Sequence, residues 1–245
     1  MRNLRTFFSI YLLFLFATCR KDGLFSKNNS VSPSDFLSEK KYEKLVVEVK
    51  CVSGYELNST SLNELSSFLS QRLNKSEGIS IAQHAIVSPG KSNYTLEDIK
   101  NIEGSNRTAN TSGNTIGLFV FIADGDYTGN SGNYKTLGIT YSNSSVVLFG
   151  KTIHDFSGGI GQPSVSVLET TVTEHEFGHV LGLVNNGSSM QVNHQDVSNG
   201  KHCNNQNCLM YFATETSDII SNLIGNNIPA LDNNCINDLK ANGGK

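Results

Sequence analysis

The chain has 245 residues, of which 17% are charged, with no tryptophan and a formal net charge of −3. That length suits one domain with a sizeable core. The slight acidity, with no cluster of lysines or arginines, excludes a nucleic-acid-binding surface.

Arg2 and Arg5 precede a mostly apolar run over 6–16, followed by Phe16-Ala17-Thr18-Cys19. The run is too short to span a bilayer and has the proportions of a secretory signal. Ending on a cysteine, it resembles a bacterial lipoprotein signal, although Phe16 stands where that motif usually has leucine. The resemblance implies a signal peptide over 1–18, lipid on Cys19, and an address in the bacterial cell envelope, at the outer membrane or cell surface. Ordinary cleavage near the same point, giving a secreted protein, is the alternative. Residues 19–43, with Gly23, Asn28, Asn29, Ser30 and Pro33, are expected to form a flexible tether.

The folded domain is expected over 44–245. Lys44–Val52 alternates and is rich in valine, which predicts a strand. Ser61-Leu62-Asn63-Glu64 has the form of a capping box opening a helix, with Leu62, Leu65, Phe68, Leu69 and Leu73 along one side. A second strand is expected over 78–87 and a short helix over 95–103. Thr115–Ala123 is apolar nearly throughout, as a central strand covered on both faces would be. Strands over 135–141 and 145–151 are expected to pair as a hairpin through 142–144. After a helix over about 164–183, residues 185–207 are polar and turn-rich, and closing helices are expected over 218–224 and 232–242. This order predicts an α/β (α+β) fold, a mixed twisted sheet of about five strands packed on helices (44–184), followed by a small irregular C-terminal subdomain (185–245). A cleft is expected between the two.

The chemistry sits in that long helix. His175, Glu176 and His179 read His-Glu-x-x-His, and Gly182 follows three residues later. Residues four apart share a helix face, so the two imidazoles can hold one metal ion while Glu176 lies beside it. Two neutral imidazoles and a third ligand suit one catalytic zinc ion with a position left open. Glu176 is then the general base that takes a proton from the attacking water. Upstream, Val165, Leu168 and Val172 recur at helical spacing, and Gly182 can take the left-handed conformation that ends a helix.

Candidates for the third ligand are His194, Asp196 and His202, since the amide of Asn185 is a poor zinc ligand. His202 opens the string His202-Cys203-Asn204-Asn205-Gln206-Asn207-Cys208-Leu209-Met210. With the helix motif and its glycine, this string resembles the metzincin metalloproteases, and the archaemetzincin branch in particular. The resemblance implies that His175, His179 and His202 hold the zinc and that Met210 forms the turn beneath it. About twenty residues separate Gly182 from His202, more than that branch uses, so His194 stays open as the third ligand. Archaemetzincins also hold a second zinc on four cysteines, whereas this chain has only Cys235 beyond Cys208. With Cys19 lipidated, Cys51, Cys203, Cys208 and Cys235 remain, an even number that suggests two disulfides in an oxidising compartment. A Cys203–Cys208 pair, which would leave Cys51 with Cys235, is favoured over a structural zinc, and the sequence leaves the connectivity open.

The expected function is that of a zinc metalloendopeptidase, a monomer acting on protein or peptide and anchored to a membrane by its N-terminal lipid. Two alternatives stand beside it: a non-catalytic surface lipoprotein that binds protein or glycan, and a zinc amidase of another substrate class.

Overall fold

The computed structural model describes residues 31–132, 134–223 and 227–245. The expected signal peptide and Cys19 lie outside the described residues, as does the tether up to residue 30. Where description begins, the chain is already packed. Ser32 opens a short helix, α1 (Pro33–Leu37), and Phe36 and Leu37 are fully buried. The Lys75 ammonium holds this segment down by donating to the carbonyls of Asp35, Ser38 and Tyr42 at 2.9, 2.6 and 2.7 Å. Among the described residues, packed structure therefore reaches back from residue 44 to Val31. Val31, Phe36, Leu37 and Tyr42, four scattered apolar side chains in a polar run, anchor it in the core.

From there the order is β1 (Lys44–Val52), α2 (Ser59–Arg72), β2 (Ile79–Ile86), β3 (Asn93–Tyr94), α3 (Leu96–Asn106), β4 (Thr115–Ala123), β5 (Asp126–Tyr127), β6 (Gly138–Ser142), β7 (Ser145–Phe149), α4 (Gly150–Asp155), α5 (Val165–Val180) and α6 (Asn233–Ala241). The main sheet has five strands in the order β2-β1-β4-β7-β6. All neighbours are parallel except β6 and β7, which form the antiparallel hairpin. The expected mixed five-stranded sheet on helices is thus present.

β4 shows why its sequence lacks alternation. Leu118, Val120 and Ile122 face the core shared with α2 and α5, while Phe119, Phe121 and Ala123 face a second core under α3. A strand covered on both sides has no face to leave polar. Several boundaries differ from the sequence reading. α2 begins earlier than the Ser61 capping box implied, because Asn58 is the N-cap and its side chain accepts from the Ser61 amide. Capping boxes form instead at Ser32 and Asp35, opening α1, and at Thr95 and Asp98, opening α3. β7 ends at Phe149 because Gly150 already starts α4. Ser217–Leu223 closes as 3-10 turns instead of an α-helix, whereas α6 follows its Asp232 cap as the pattern suggested.

The last strand, β6, runs along α5, and this is the contact that matters for the site. α5 is buried along Val167–Val180, including Glu169, Thr170, Thr171, Thr173, Glu174, His175, Glu176 and His179. A polar helix does not sink into a core for the sake of burial alone, since every polar group it carries must find a partner. One end is answered by Glu169, whose carboxylate accepts from Asn58 Nδ2 (2.6 Å), the Asn58 amide (3.2 Å) and Ser61 Oγ (2.9 Å) at the start of α2. The other end carries the two histidines.

Candidate metal centre

Ser164 caps α5 through its side chain, which accepts from Val167 N, and fixes the helix phase that follows. That phase sets His175 and His179 on one face with their Nε2 atoms 3.1 Å apart. Two nitrogens held about 2.0–2.1 Å from one tetrahedral zinc would sit roughly 3.3 Å from each other, so the spacing fits a shared ion. α5 ends at Val180. Gly182 then adopts φ +78°, and an added Cβ there would lie 2.6 Å from Ser188 N and 2.7 Å from Pro33. Only glycine makes this turn without strain. Val184 and Asn185 also hold positive φ, an unusual conformation for a β-branched residue, and keep the chain folding back towards the helix.

The returning chain brings His202 to the pair. Its ring lies 5.3 Å from that of His175 and 5.1 Å from that of His179, centroid to centroid. Ligand atoms of the three histidines all fall within 4.8 Å of one another. Backbone carbonyls orient two of the rings: His175 Nδ1 lies 2.7 Å from Leu209 O, and His202 Nδ1 lies 2.6 Å from Asn199 O. Each carbonyl selects the tautomer with hydrogen on Nδ1, so Nε2 is the nitrogen offered to a metal. Burial, with His202 as a second cause, pushes the His179 pKa down to about 3. The ring is therefore neutral throughout the physiological range, which is the form that ligates. The donor set fits a borderline divalent ion such as zinc.

Glu176 points to the other side of the helix edge, against β6. The Thr140 hydroxyl lies 2.7 Å from Glu176 Oε2 and 2.8 Å from its carbonyl oxygen. Gly138 makes room for this side chain, since a Cβ there would stand 2.8 Å from Glu176 Oε1. A pocket of about 240 Å³ opens beside His179, between Thr140 and Ser142 of β6, Asn186 and Pro33. Neither Gly138 nor Thr140 was singled out from the sequence; a threonine and a glycine in a short strand carry no signal of their own.

Met210 lies buried beneath the histidine helix. Its Sδ occupies the space where Gly178 lacks a side chain, 2.2 Å from the position of an added Cβ. Gly178→Ala is expected to force Met210 out of place and to cost about 1–3 kcal/mol of stability, as overpacking of a core does. A thermal melt that leaves Tm unchanged would show that the methionine moves aside freely.

His194 is elsewhere. Its Nε2 lies 2.8 Å from Asp238 Oδ2 and its Nδ1 lies 3.3 Å from Cys203 Sγ. Burial disfavours charge on this ring, but the hydrogen bonds to Asp238 and Cys203 outweigh it and raise the pKa. His194, Cys203, Asp232 and Cys235 form a second group of donors within 4.8 Å of one another. Cys208 Sγ stands 3.7 Å from Cys235 Sγ. Cys51, Cys203, Cys208 and Cys235 are all free thiols, so neither the Cys203–Cys208 disulfide nor a Cys51–Cys235 pair is formed. Cys51 lies in β1 with its thiol directed to the His84 carbonyl, in the sheet and apart from the other three. Hydrogen bonds from Cys203 first and Cys235 second lower the Cys208 thiol, so one sulfur of the three takes the negative charge readily. Asp232 and Asp238 were not anticipated. A reader of the sequence could have found them, because Asp232 caps α6 three residues before Cys235 and Asp238 lies three after it on the same helix face.

No protein-family model matches the chain, and no curated protein matches it by sequence. Among solved structures, the archaemetzincin of Methanopyrus kandleri superposes with a TM-score of 0.54 at 14% identity, over 83% of this chain and 96% of that one. A zinc-dependent peptidase from Methanocorpusculum labreanum gives a TM-score of 0.49 at 13% identity, over 79% of this chain and 99% of that one. The first likeness establishes the fold: this chain has an archaemetzincin-like architecture.

Proposed function

We propose that the chain is a zinc-dependent endopeptidase whose ion is held by His175, His179 and His202. The observation that carries the reading is the meeting of three buried, Nε2-presenting histidines with Glu176 on the neighbouring helix position. Bound there, zinc would supply a Lewis acid for the scissile carbonyl and would acidify water towards neutral pH. The chain's own groups do the rest. Glu176 takes the proton from water and returns it to the leaving amine, with the Thr140 hydroxyl holding the carboxylate towards β6. The backbone carbonyls of Leu209 and Asn199 keep the histidine rings turned to the centre. The low pKa of His179 prevents protons from competing for its nitrogen.

A polypeptide substrate is supported by the position of β6. It is the last strand of the sheet and lies directly against Glu176, so an extended peptide can add to it by main-chain hydrogen bonds and pass the site. The fold shared with the Methanopyrus kandleri archaemetzincin is consistent with this reading. The test is digestion of an unfolded protein such as casein by the zinc-loaded full chain, with the products sequenced by mass spectrometry. Internal cuts that stop on chelation are the expected result. Intact substrate in the presence of a fully loaded centre would favour a binding protein or an amidase of another substrate class.

The basic, apolar and cysteine-ended start at residues 1–19 supports an address in the bacterial cell envelope, with lipid on Cys19 as the anchor. Labelling with a radioactive fatty acid should mark the wild type and fail on Cys19→Ser. Equal labelling of both would remove the anchor from the picture.

A further inference from the structure

α5 carries three glutamates, and one of them serves neither the histidine centre nor the packing. Glu169 and Glu176 are both answered by amide or hydroxyl donors. Glu174 stands two residues before Glu176, so at 3.6 residues per turn the two point about 200° apart, to opposite sides of the helix. It is only 7% exposed, yet among the described residues its carboxyl group has no hydrogen-bond or ion-pair partner. A buried polar group without a partner calls for an explanation, because its desolvation goes uncompensated. Glu174 borders a pocket of about 220 Å³ between α2, α5 and the segment leading to α6, and this pocket shares no lining residue with the one beside His179.

The pocket is lined by charges of both signs. Glu64 stands on α2 at its exposed rim, and Arg72, the last residue of α2, lies over the Phe68 ring with Cζ 5.8 Å from the centroid. The Arg72 guanidinium makes one long hydrogen bond, from Nη1 to Gln71 Oε1 at 3.4 Å, and its Nε is buried without a partner. It therefore borders the same space as the Glu174 carboxyl group and attracts it, but the two do not meet. Opposite charges held apart across an open pocket complement a molecule that carries both. Phe68, Leu209 and Leu231 add apolar wall. The volume falls below the roughly 300–1,000 Å³ of sites for drug-sized ligands, so the occupant is small. We propose that this pocket binds a zwitterionic α-amino acid with an aliphatic side chain. Its ammonium group donates to Glu174 and Glu64, its carboxylate lies on Arg72, and its side chain packs against Phe68 and Leu231. Guanidinium suits the last role of recognition, since its planar fork matches a carboxylate. A simple cation would meet the charge of Arg72 uncompensated, and a simple anion would meet two carboxylates. A metal ion fits less well, because Glu174 belongs to neither group of donors close enough to share one. The site does not require the histidine centre to be catalytic.

Calorimetric titration of the zinc-loaded full chain with L-leucine tests this, and one molecule per chain is expected to bind. Two analogues keep the leucine side chain and lose one charge each: 3-methylbutylamine lacks the carboxylate, and 4-methylpentanoate lacks the ammonium group. Each should bind about 10–100-fold more weakly than leucine, as loss of a hydrogen bond to a charged group implies. Glu174→Gln, which keeps the shape and removes the charge, should weaken leucine by the same range. Arg72→Gln, at a half-buried position on a different helix, should do so as well. The absence of saturable leucine binding to the wild type overturns the proposal without any variant. Leucine that binds both variants as tightly as the wild type also overturns it, because the amino acid is then held elsewhere, for example as a chelate on zinc. If the amine binds as tightly as leucine, the pocket is a plain cation site and the zwitterion is refuted.

Discussion

Glu176→Gln is expected to reduce peptide hydrolysis by about 10²–10⁴-fold, the usual contribution of a positioned general base, while leaving the zinc content unchanged. The size of the effect follows from the residue's place. Its carboxylate is fully buried, with the Thr140 hydroxyl of β6 bonded to it and the space left by Gly138 beside it. Glutamine keeps that volume and can still receive the Thr140 hydrogen bond, so the helix and the histidines should not move. The amide cannot accept a proton at neutral pH. Alanine is the poorer variant, since it opens a cavity beside the histidines and mixes a packing loss with the chemical one. Initial rates measured with zinc content on the same samples separate the two. A Glu176→Gln protein within tenfold of wild type would remove Glu176 from the reaction.

The second large effect is on metal binding. His202→Ala should leave His175 and His179 as a two-nitrogen site that cannot retain the ion against a chelator. The loss should exceed the 10–100-fold that follows removal of an outer partner. His194→Ala should behave differently and keep the ion on the histidine centre, because His194 faces Cys203 and Asp238 and not the His175–His179 pair. Equilibrium dialysis of both variants against buffered zinc distinguishes them. If His194→Ala empties the histidine centre while His202→Ala keeps it, the assignment of the third ligand is reversed.

Much of this architecture was legible before the coordinates. β1 and β4 begin and end where valine-rich alternation and an unbroken apolar run placed them, and the five-stranded mixed sheet follows from the order of elements. The His-Glu-x-x-His helix is written in its spacing, and its cap at Ser164 and turn at Gly182 are local signals. What local signals cannot encode is which part of a loop swings back. His194 and His202 lie in the same polar segment, and apart from the resemblance of the string that His202 opens, no local pattern says that one will meet α5 and the other α6. Long-range hydrogen bonds settle that: Leu209 O on His175 ties the returning loop to α5, and Asp238 holds His194 against α6.

The cysteines were misread for a related reason. An even number of cysteines is compatible with disulfides, but equally with thiols gathered by a histidine from further along the chain. Spacing alone does not reveal the histidine. The N-terminal boundary failed differently: Phe36 and Leu37 are two apolar residues in a serine- and asparagine-rich run, too few to outweigh its composition. Yet they bury fully, and Pro33 reaches the turn at Gly182. Anchoring by Val31, Phe36, Leu37, Tyr42 and the Lys75 ammonium is a tertiary event with no periodic trace.

The most direct test of the central claim is anomalous diffraction at the zinc edge from crystals of the zinc-loaded full chain. A peak is expected about 2.0–2.1 Å from Nε2 of His175, His179 and His202 together, with Glu176 beside it and outside bonding distance. An empty position among these three histidines in zinc-saturated crystals, or a peak there that excludes His202, would contradict it.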